Sequence, residues 1–341
     1  MLMTLTMPAG MPMPETPRAP VRVKVRSADE LRNAMRSSHA HAVTLDGTGM
    51  NRVLRLDAGR GLIEVQAATT WAELAKYLAG RKAAIEAFTT AGLPAAVGES
   101  VSAAAPGPDG LPITAHVAAL TLVMPDGELR RADRESNEEL FRAALGGQGL
   151  IGVIYSVTLD MASLAASARH AIAAVDLCVS DAAASGTTAC EMECLLPPEE
   201  LAPFLAEVRA AAHEHRIALH AVSVRRTQPE QDSLLRWATR EWAGVRISFG
   251  VRPTLGAGVR AAEIRRLLLE LALARKGSFP LREARHATRA QLDACYPMLA
   301  GFLAEKQRTD PDARLQNAWY RDVLAKTRPQ RCEVRWERSE G

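Results

Sequence analysis

A glycine triplet set in reversed surroundings limits what this chain can fold into. Gly147, Gly149 and Gly152 spell G-x-G-x-x-G inside Leu140–Met161, LFRAALGGQGLIGVIYSVTLDM. A dinucleotide loop of the doubly wound type follows a strand and opens a helix, so that the helix N-terminus meets the pyrophosphate. Here the order is opposite. Ser136 and Glu139 have the spacing of a capping box, and Leu140, Phe141 and Ala144 make a short helical face. The glycines then end that helix. Leu150–Met161 is β-branched and apolar enough for a strand. Glycines that join a helix to a strand serve equally well as a tight turn with close backbone packing.

The rest of the chain fits an α+β protein with two main regions. In the first, Val21–Met161, Ser27 with Glu30 and Thr70 with Glu73 make capping boxes, each followed by a helical face. Strands are expected at Val43–Leu45, Arg52–Leu56, Leu62–Ala67 and Val117–Met124, the last turning back at Pro125-Asp126-Gly127. The second region, 162–276, reads strand (Thr188–Leu196), helix, strand (Arg216–Val224), strand (Val245–Val251), helix, which predicts a sheet with helices on one face. Residues 277–324 form a last segment. In it Thr288 with Gln291 caps a helix predicted to run to Arg308, with Leu292, Tyr296, Leu299 and Leu303 facing inward. Residues 1–20 are rich in Met and Pro and are expected to be a disordered leader or a misplaced start; 325–341 are a tail.

Composition excludes several classes of function. With 341 residues and 48% hydrophobic content the chain can bury a large core. A net charge of +3, dispersed, and 4% aromatic residues argue against nucleic acid. Five scattered cysteines without a C-x-x-C predict neither a disulfide framework nor a metal site, and fit a reducing, cytoplasmic setting. No apolar run is long enough for a transmembrane helix, which leaves peripheral membrane attachment open. No G-x-S-x-G, H-E-x-x-H or P-loop occurs. His213 and His215 do not share a helical face, and His116, beside a strand start, reads as a satisfied structural histidine.

Three segments together resemble the vanillyl-alcohol-oxidase-type flavoproteins, whose FAD-binding domain is of the PCMH type. They are NRVLRLD with IEVQAATTWAEL, HVAALTLVMPDGEL with NEELFRAALGGQGLIGVI, and RHATRAQLDACYPMLAGFLAEKQRTDPDARLQNAWYRDVL. The sugar-oxidising branch is the most similar: aldonolactone and alditol oxidases and decaprenylphosphoryl-ribose oxidases. The resemblance implies FAD as cofactor and hydride transfer to flavin N5 from a hydroxyl of a sugar, alditol or aldonolactone. It implies that Gly146, Gly147, Gly149 and Gly152 lie beside FAD, with Val153 and Ile154 packed near it. Val97-Gly98 would be a second flavin turn, and Gly107 a third contact. Arg282 stands where relatives carry a substrate-orienting lysine. Arg282 and Arg285 become candidate substrate binders, and Glu283 a candidate replacement base. Both arginines are expected in an extended stretch, where only one of them can point into a cleft.

The chain departs from this pattern in its cofactor parts. The glycine-rich diphosphate loop expected between the first helix and Asn51-Arg52 is missing, with only Ser37-Ser38-His39-Ala40-His41 in its place. Glu99 replaces the second glycine of the V-G-G-x-I turn, and Pro106 precedes Gly107 where many relatives have histidine. Proline lacks an N–H donor, and arginine cannot act as a base near neutral pH. Three readings follow: a divergent FAD-linked oxidoreductase, a pseudoenzyme that has lost FAD and serves as a binding or assembly subunit, or an incorrect or truncated gene model from which the loop is lost.

Overall fold

Short helices and mostly antiparallel strands build the first region in a computed structural model that describes residues 2–5, 21–37, 43–80, 85–177 and 186–327. Strands β2 (Val21–Lys24) and β3 (Val43–Asp46) run parallel, joined by helix α1 (Ala28–Ser37). Ser27 Oγ accepts the Glu30 N–H at 3.2 Å, and the Glu30 carboxylate accepts the Arg26 N–H at 2.8 Å. The first bond satisfies a helix-start donor; the second reaches Arg26 and not Ser27, so the expected capping box closes on one side only, while Leu31 and Met35 are buried. Strand β1 (Leu2–Leu5) pairs antiparallel with β3 and with β13 (Leu315–Gln316), giving the order β13-β1-β3-β2. The expectation of a disordered leader is therefore wrong for residues 2–5, which cover the edge of β3 that would otherwise stay unpaired. The remainder of the leader, His39 and His41, and residues 328–341 lie outside the described residues.

A five-stranded antiparallel sheet follows, ordered β4-β5-β8-β6-β7. Its members are β4 (Val53–Asp57), β5 (Leu62–Gln66), β6 (Val117–Val123), β7 (Leu129–Asp133) and β8 (Val153–Asp160). Helix α2 (Trp71–Leu78) starts with the full Thr70–Glu73 capping box. Helices α3 (Ala87–Thr90), α4 (Val97–Ser102) and α5 (Glu138–Ala144) complete the packing. The capping box expected at Ser136–Glu139 does not form. The Asp133 carboxylate takes the Ser136 N–H at 2.7 Å, Asn137 turns left-handed at φ 54°, and the helix begins one residue later without a side-chain cap. Helix α6 (Met161–Arg169) continues directly from β8, capped by Asp160.

The second region is the sheet β10-β12-β11-β9, antiparallel throughout. Its strands are β9 (Val175–Leu177), β10 (Thr188–Leu196), β11 (Ala218–Thr227) and β12 (Trp242–Val251). Alternation along the strands makes its two faces unlike each other. Met192, Cys194, Val245 and Ile247 are buried on one face, where α7 (Leu201–Glu214) and α8 (Ala257–Ala274) lie and Cys194 Sγ meets Leu268 O at 3.8 Å. On the other face the register sets Glu193 opposite Arg246 and Leu195 opposite Gly244, which faces Arg225. Helix α8 stops at Lys276, left-handed at φ 56°. At Gly277 an added Cβ would fall 2.5 Å from Ala272 O and 2.6 Å from Leu195 O, so only glycine fits between helix and sheet.

The last segment corrects one expectation. Instead of one helix over 288–308 there are two, α9 (Arg289–Cys295) and α10 (Leu299–Thr309), before α11 (Ala318–Thr327). Pro297 lacks the N–H that would bond back one turn, and its ring clashes there, so the chain breaks at Tyr296–Met298. The Thr288–Gln291 box forms as expected, and Leu292, Tyr296 and Leu299 are buried; Leu303 is half-buried. One large apolar cluster runs from Ile63 in β5 through Phe249 in β12 to Val323 in α11. Among the described residues no helix is long and apolar enough to cross a membrane, and no group of metal-ligating side chains is assembled.

Candidate functional site

The glycine loop does end α5 and lead into β8, the reverse of a dinucleotide loop. Its glycines serve contacts within the protein. Gly146 and Gly149 are left-handed, at φ 66° and 71°. A Cβ on Gly147 would sit 2.2 Å from Ala143 O, and one on Gly152 would sit 3.3 Å from the Met124 sulfur. The loop's donors turn inward as well. Gly146 N donates to Val101 O at 3.1 Å, Gly147 N to Ala144 O at 3.2 Å and Gln148 N to Ser102 O at 3.0 Å.

The other two flavin-turn candidates behave in the same way. Val97 and Gly98 are not a turn: they open α4, because Val97 N donates to Thr69 O at 2.9 Å and Gly98 N to Ala67 O at 2.8 Å. A Cβ on Gly98 would fall 2.6 Å from the Ala67 methyl. Glu99 lies exposed on that helix, not against a diphosphate position. Gly107 N donates to Leu111 O at 2.6 Å within its own loop.

Val153 and Ile154 line one side of a cleft whose other side is Val25, Leu31, Gly47 and Met50. The resemblance places FAD here, between the glycine loop and the segment after the first helix. The cleft is apolar and holds about 30 Å³, room for roughly one water molecule; ligand sites span some 300–1,000 Å³. The connection from β11 to β12 closes the loop from above. Trp237 Nε1 donates to Ala104 O at 2.9 Å, Leu234 N to Arg142 O at 2.8 Å, and Asp232 pairs with Arg134 at 3.0 Å. The residues as placed do not fit FAD: the groove has no volume for it, and the loop donors named above already have partners.

The candidate substrate residues come together only in part. Arg282 and Glu283 lie in a 3-10 turn, Leu281–His286, and not in the expected extended stretch. Tyr296, buried in the break between α9 and α10, donates its hydroxyl to Phe279 O and anchors this turn. In a 3-10 turn residues three apart share a side, so both arginines lie outward. They still separate by partner. Arg282 reaches across to the polar sheet face and pairs with Glu193, which also binds Arg225. Arg285 contacts His286 at 3.0 Å. Glu193 is 1% exposed. Burial works to raise its carboxyl pKa, but Arg225, Arg282 and Arg246 outweigh burial and hold it below the usual range. Glu283, buried beside it, is pushed the other way by burial, against the pull of Arg282. Three guanidinium groups thus surround one firmly ionised carboxylate. The face carries surplus positive charge suited to an anionic or hydroxyl-rich ligand.

Two features were not foreseen from the sequence: the buried Lys306 pair and an unsatisfied nitrogen on His116. Lys306 is buried, pairs with Asp310 and donates to Leu150 O at 2.8 Å, tying α10 to the glycine loop; burial lowers its pKa against the pull of Asp310. The signal was the i, i+4 spacing of Lys306 and Asp310. His116 is the second. Its Nδ1 lies 2.7 Å from Ser163 Oγ, as a structural histidine should, yet its buried Nε2 has no partner among the described residues.

Residues 21–133 match the family model of the FAD binding domain. No curated protein matches the chain. By this match residues 21–133, about a third of an α+β chain, are similar to an FAD-binding domain of the PCMH type; FAD is the cofactor such a domain takes, and the class to which the match points is the flavin-linked oxidoreductases.

Proposed function

We propose that this chain is a divergent flavin-linked oxidoreductase scaffold that no longer holds FAD tightly and works as a binding or assembly subunit for a sugar-like ligand. The filled groove carries this reading. A diphosphate needs several charge-assisted hydrogen bonds worth about 1.5–3 kcal/mol each. Without them affinity falls by orders of magnitude. On the ligand side Arg282 binds and does not deprotonate, since a guanidinium stays charged near neutral pH. Burial shifts Glu283 beside it toward its protonated form, against the pull of Arg282. The free cysteines Cys190, Cys194 and Cys295 fit a cytoplasmic location.

The match over 21–133 favours a second reading. In it the groove opens, FAD enters, and the chain oxidises a hydroxyl of a sugar, alditol or aldonolactone. In such an enzyme the flavin supplies the hydride acceptor. The two readings separate in one experiment: purify the full chain with and without added FAD, then titrate FAD and ribose 5-phosphate separately by calorimetry. Binding of the sugar phosphate without FAD supports the first reading. Stoichiometric flavin overturns it.

A further inference from the structure

A buried carboxylate without a cation stands in the wall of a cleft. The cleft, of about 500 Å³, opens between the Asp109–Leu111 loop, helix α6 and the residues that follow it, and its volume is that of a small-molecule site. Ile172 N donates to Pro108 O at 2.8 Å and fastens the segment after α6 to the loop. Leu111, Ala166, Ala171 and Ile172 give the cleft an apolar wall.

Asp109, in the same lining, is only 6% exposed. Its Oδ1 accepts the Leu111 N–H at 3.1 Å. Its Oδ2 takes no hydrogen bond or ion pair among the described residues, yet it is not sealed inside the protein as His116 Nε2 and Ser167 Oγ are. A buried carboxylate is ordinarily paired with a cation. Here no lysine or arginine lines the cleft. His116 does not supply the charge either: burial holds its imidazole below the ordinary pKa, although Asp109 and Asp160 pull the other way.

The other polar groups of the lining add acceptors. Gln228 Nε2 donates to Asp109 O at 2.9 Å, which leaves the Gln228 Oε1 to accept. His170 Nδ1 lies 2.8 Å from Ala166 O, and a carbonyl only accepts, so Nδ1 carries the proton and Nε2 of the neutral ring is an acceptor. An occupant that meets this lining brings a positive charge and several N–H donors to one end, and an apolar part to the other. We propose that the cleft binds a small organic ammonium ion, with its N–H groups on Asp109 Oδ2 and its alkyl part against Leu111 and Ile172. The inference uses neither the flavin groove nor the arginines and does not depend on the proposed function.

Butylammonium chloride is the probe. It is titrated into the full chain by calorimetry at neutral pH, with sodium chloride present, and the Ile172 methyl signal is followed by NMR. The expected result is saturable binding that moves the Ile172 signal. Ammonium chloride and 1-butanol, which each carry half of the chemistry, should bind more weakly by roughly tenfold or more. Asp109→Asn removes the charge but keeps an Oδ1 that accepts the Leu111 N–H. It should weaken butylammonium binding by roughly tenfold to hundredfold, the value of a charge-assisted hydrogen bond. The proposal is overturned if butylammonium gives no saturable shift, which would leave water as the occupant. It is overturned if 1-butanol binds as tightly, which would make the cleft merely apolar, or if ammonium chloride does, which would make it a site for any cation. A folded Asp109→Asn protein with wild-type affinity also overturns it. The three ligands on the wild type decide the matter even where the variant fails to fold.

Discussion

At Glu193 and Glu283 two neighbouring carboxyl groups are driven in opposite directions. Glu193, held low by three arginines, adds stability that is present above its ordinary pKa and is lost as pH falls through the lowered value. Glu283, held high by burial, behaves in the reverse sense: the fold favours its protonated form, and stability is lost as pH rises past the ordinary glutamate range. Glu283→Gln should therefore stabilise the protein at neutral pH, with the gain vanishing in acid; urea denaturation at several pH values reads this, and a gain that grows in acid would contradict it. Arg282 is 54% exposed in its side chain while Arg225, at 22%, keeps Glu193 paired. Arg282→Ala should leave the fold intact and weaken ribose 5-phosphate binding by about 1.5–3 kcal/mol, with Arg285→Ala doing less. Equal calorimetric affinities would make Arg282 a surface charge only. Lys306→Met leaves Asp310 buried without its cation, and should cost about 3–5 kcal/mol in denaturation.

Helix ends decide much of what the sequence could and could not tell. Thr70–Glu73 and Thr288–Gln291 were legible because both hydrogen bonds of a capping box are local. Ser136–Glu139 has the same spacing, but Asp133, three residues upstream, captures the serine N–H first. The break at Pro297 was legible in principle and lost to a good apolar period running across it. Lys276 holds a left-handed position at the end of α8, which costs an L-residue about 1 kcal/mol or more. Lys276→Gly should raise stability by about 1 kcal/mol, read as a shifted urea midpoint; an unchanged or lower midpoint would show that the αL cap is unstrained.

Over the whole molecule the order of elements was readable, while the groove was not. Local patterns reported an inverted glycine loop, a first region of short strands and hairpins, and a sheet backed by helices; they did not report the parallel β2-α1-β3 unit. Whether the glycines face a ligand or the protein depends on partners distant in sequence: Val101 and Ser102 for Gly146 and Gln148, Trp237 for Ala104. The same holds for the Glu193 cluster, assembled from β10, β11 and a turn near residue 282. The central claim is that these contacts have replaced FAD in a domain whose family binds it. Visible absorbance of the full chain purified from cells tests that claim most directly. The account predicts no flavin band near about 450 nm, and none gained on dialysis against FAD. A band corresponding to one flavin per chain would contradict it.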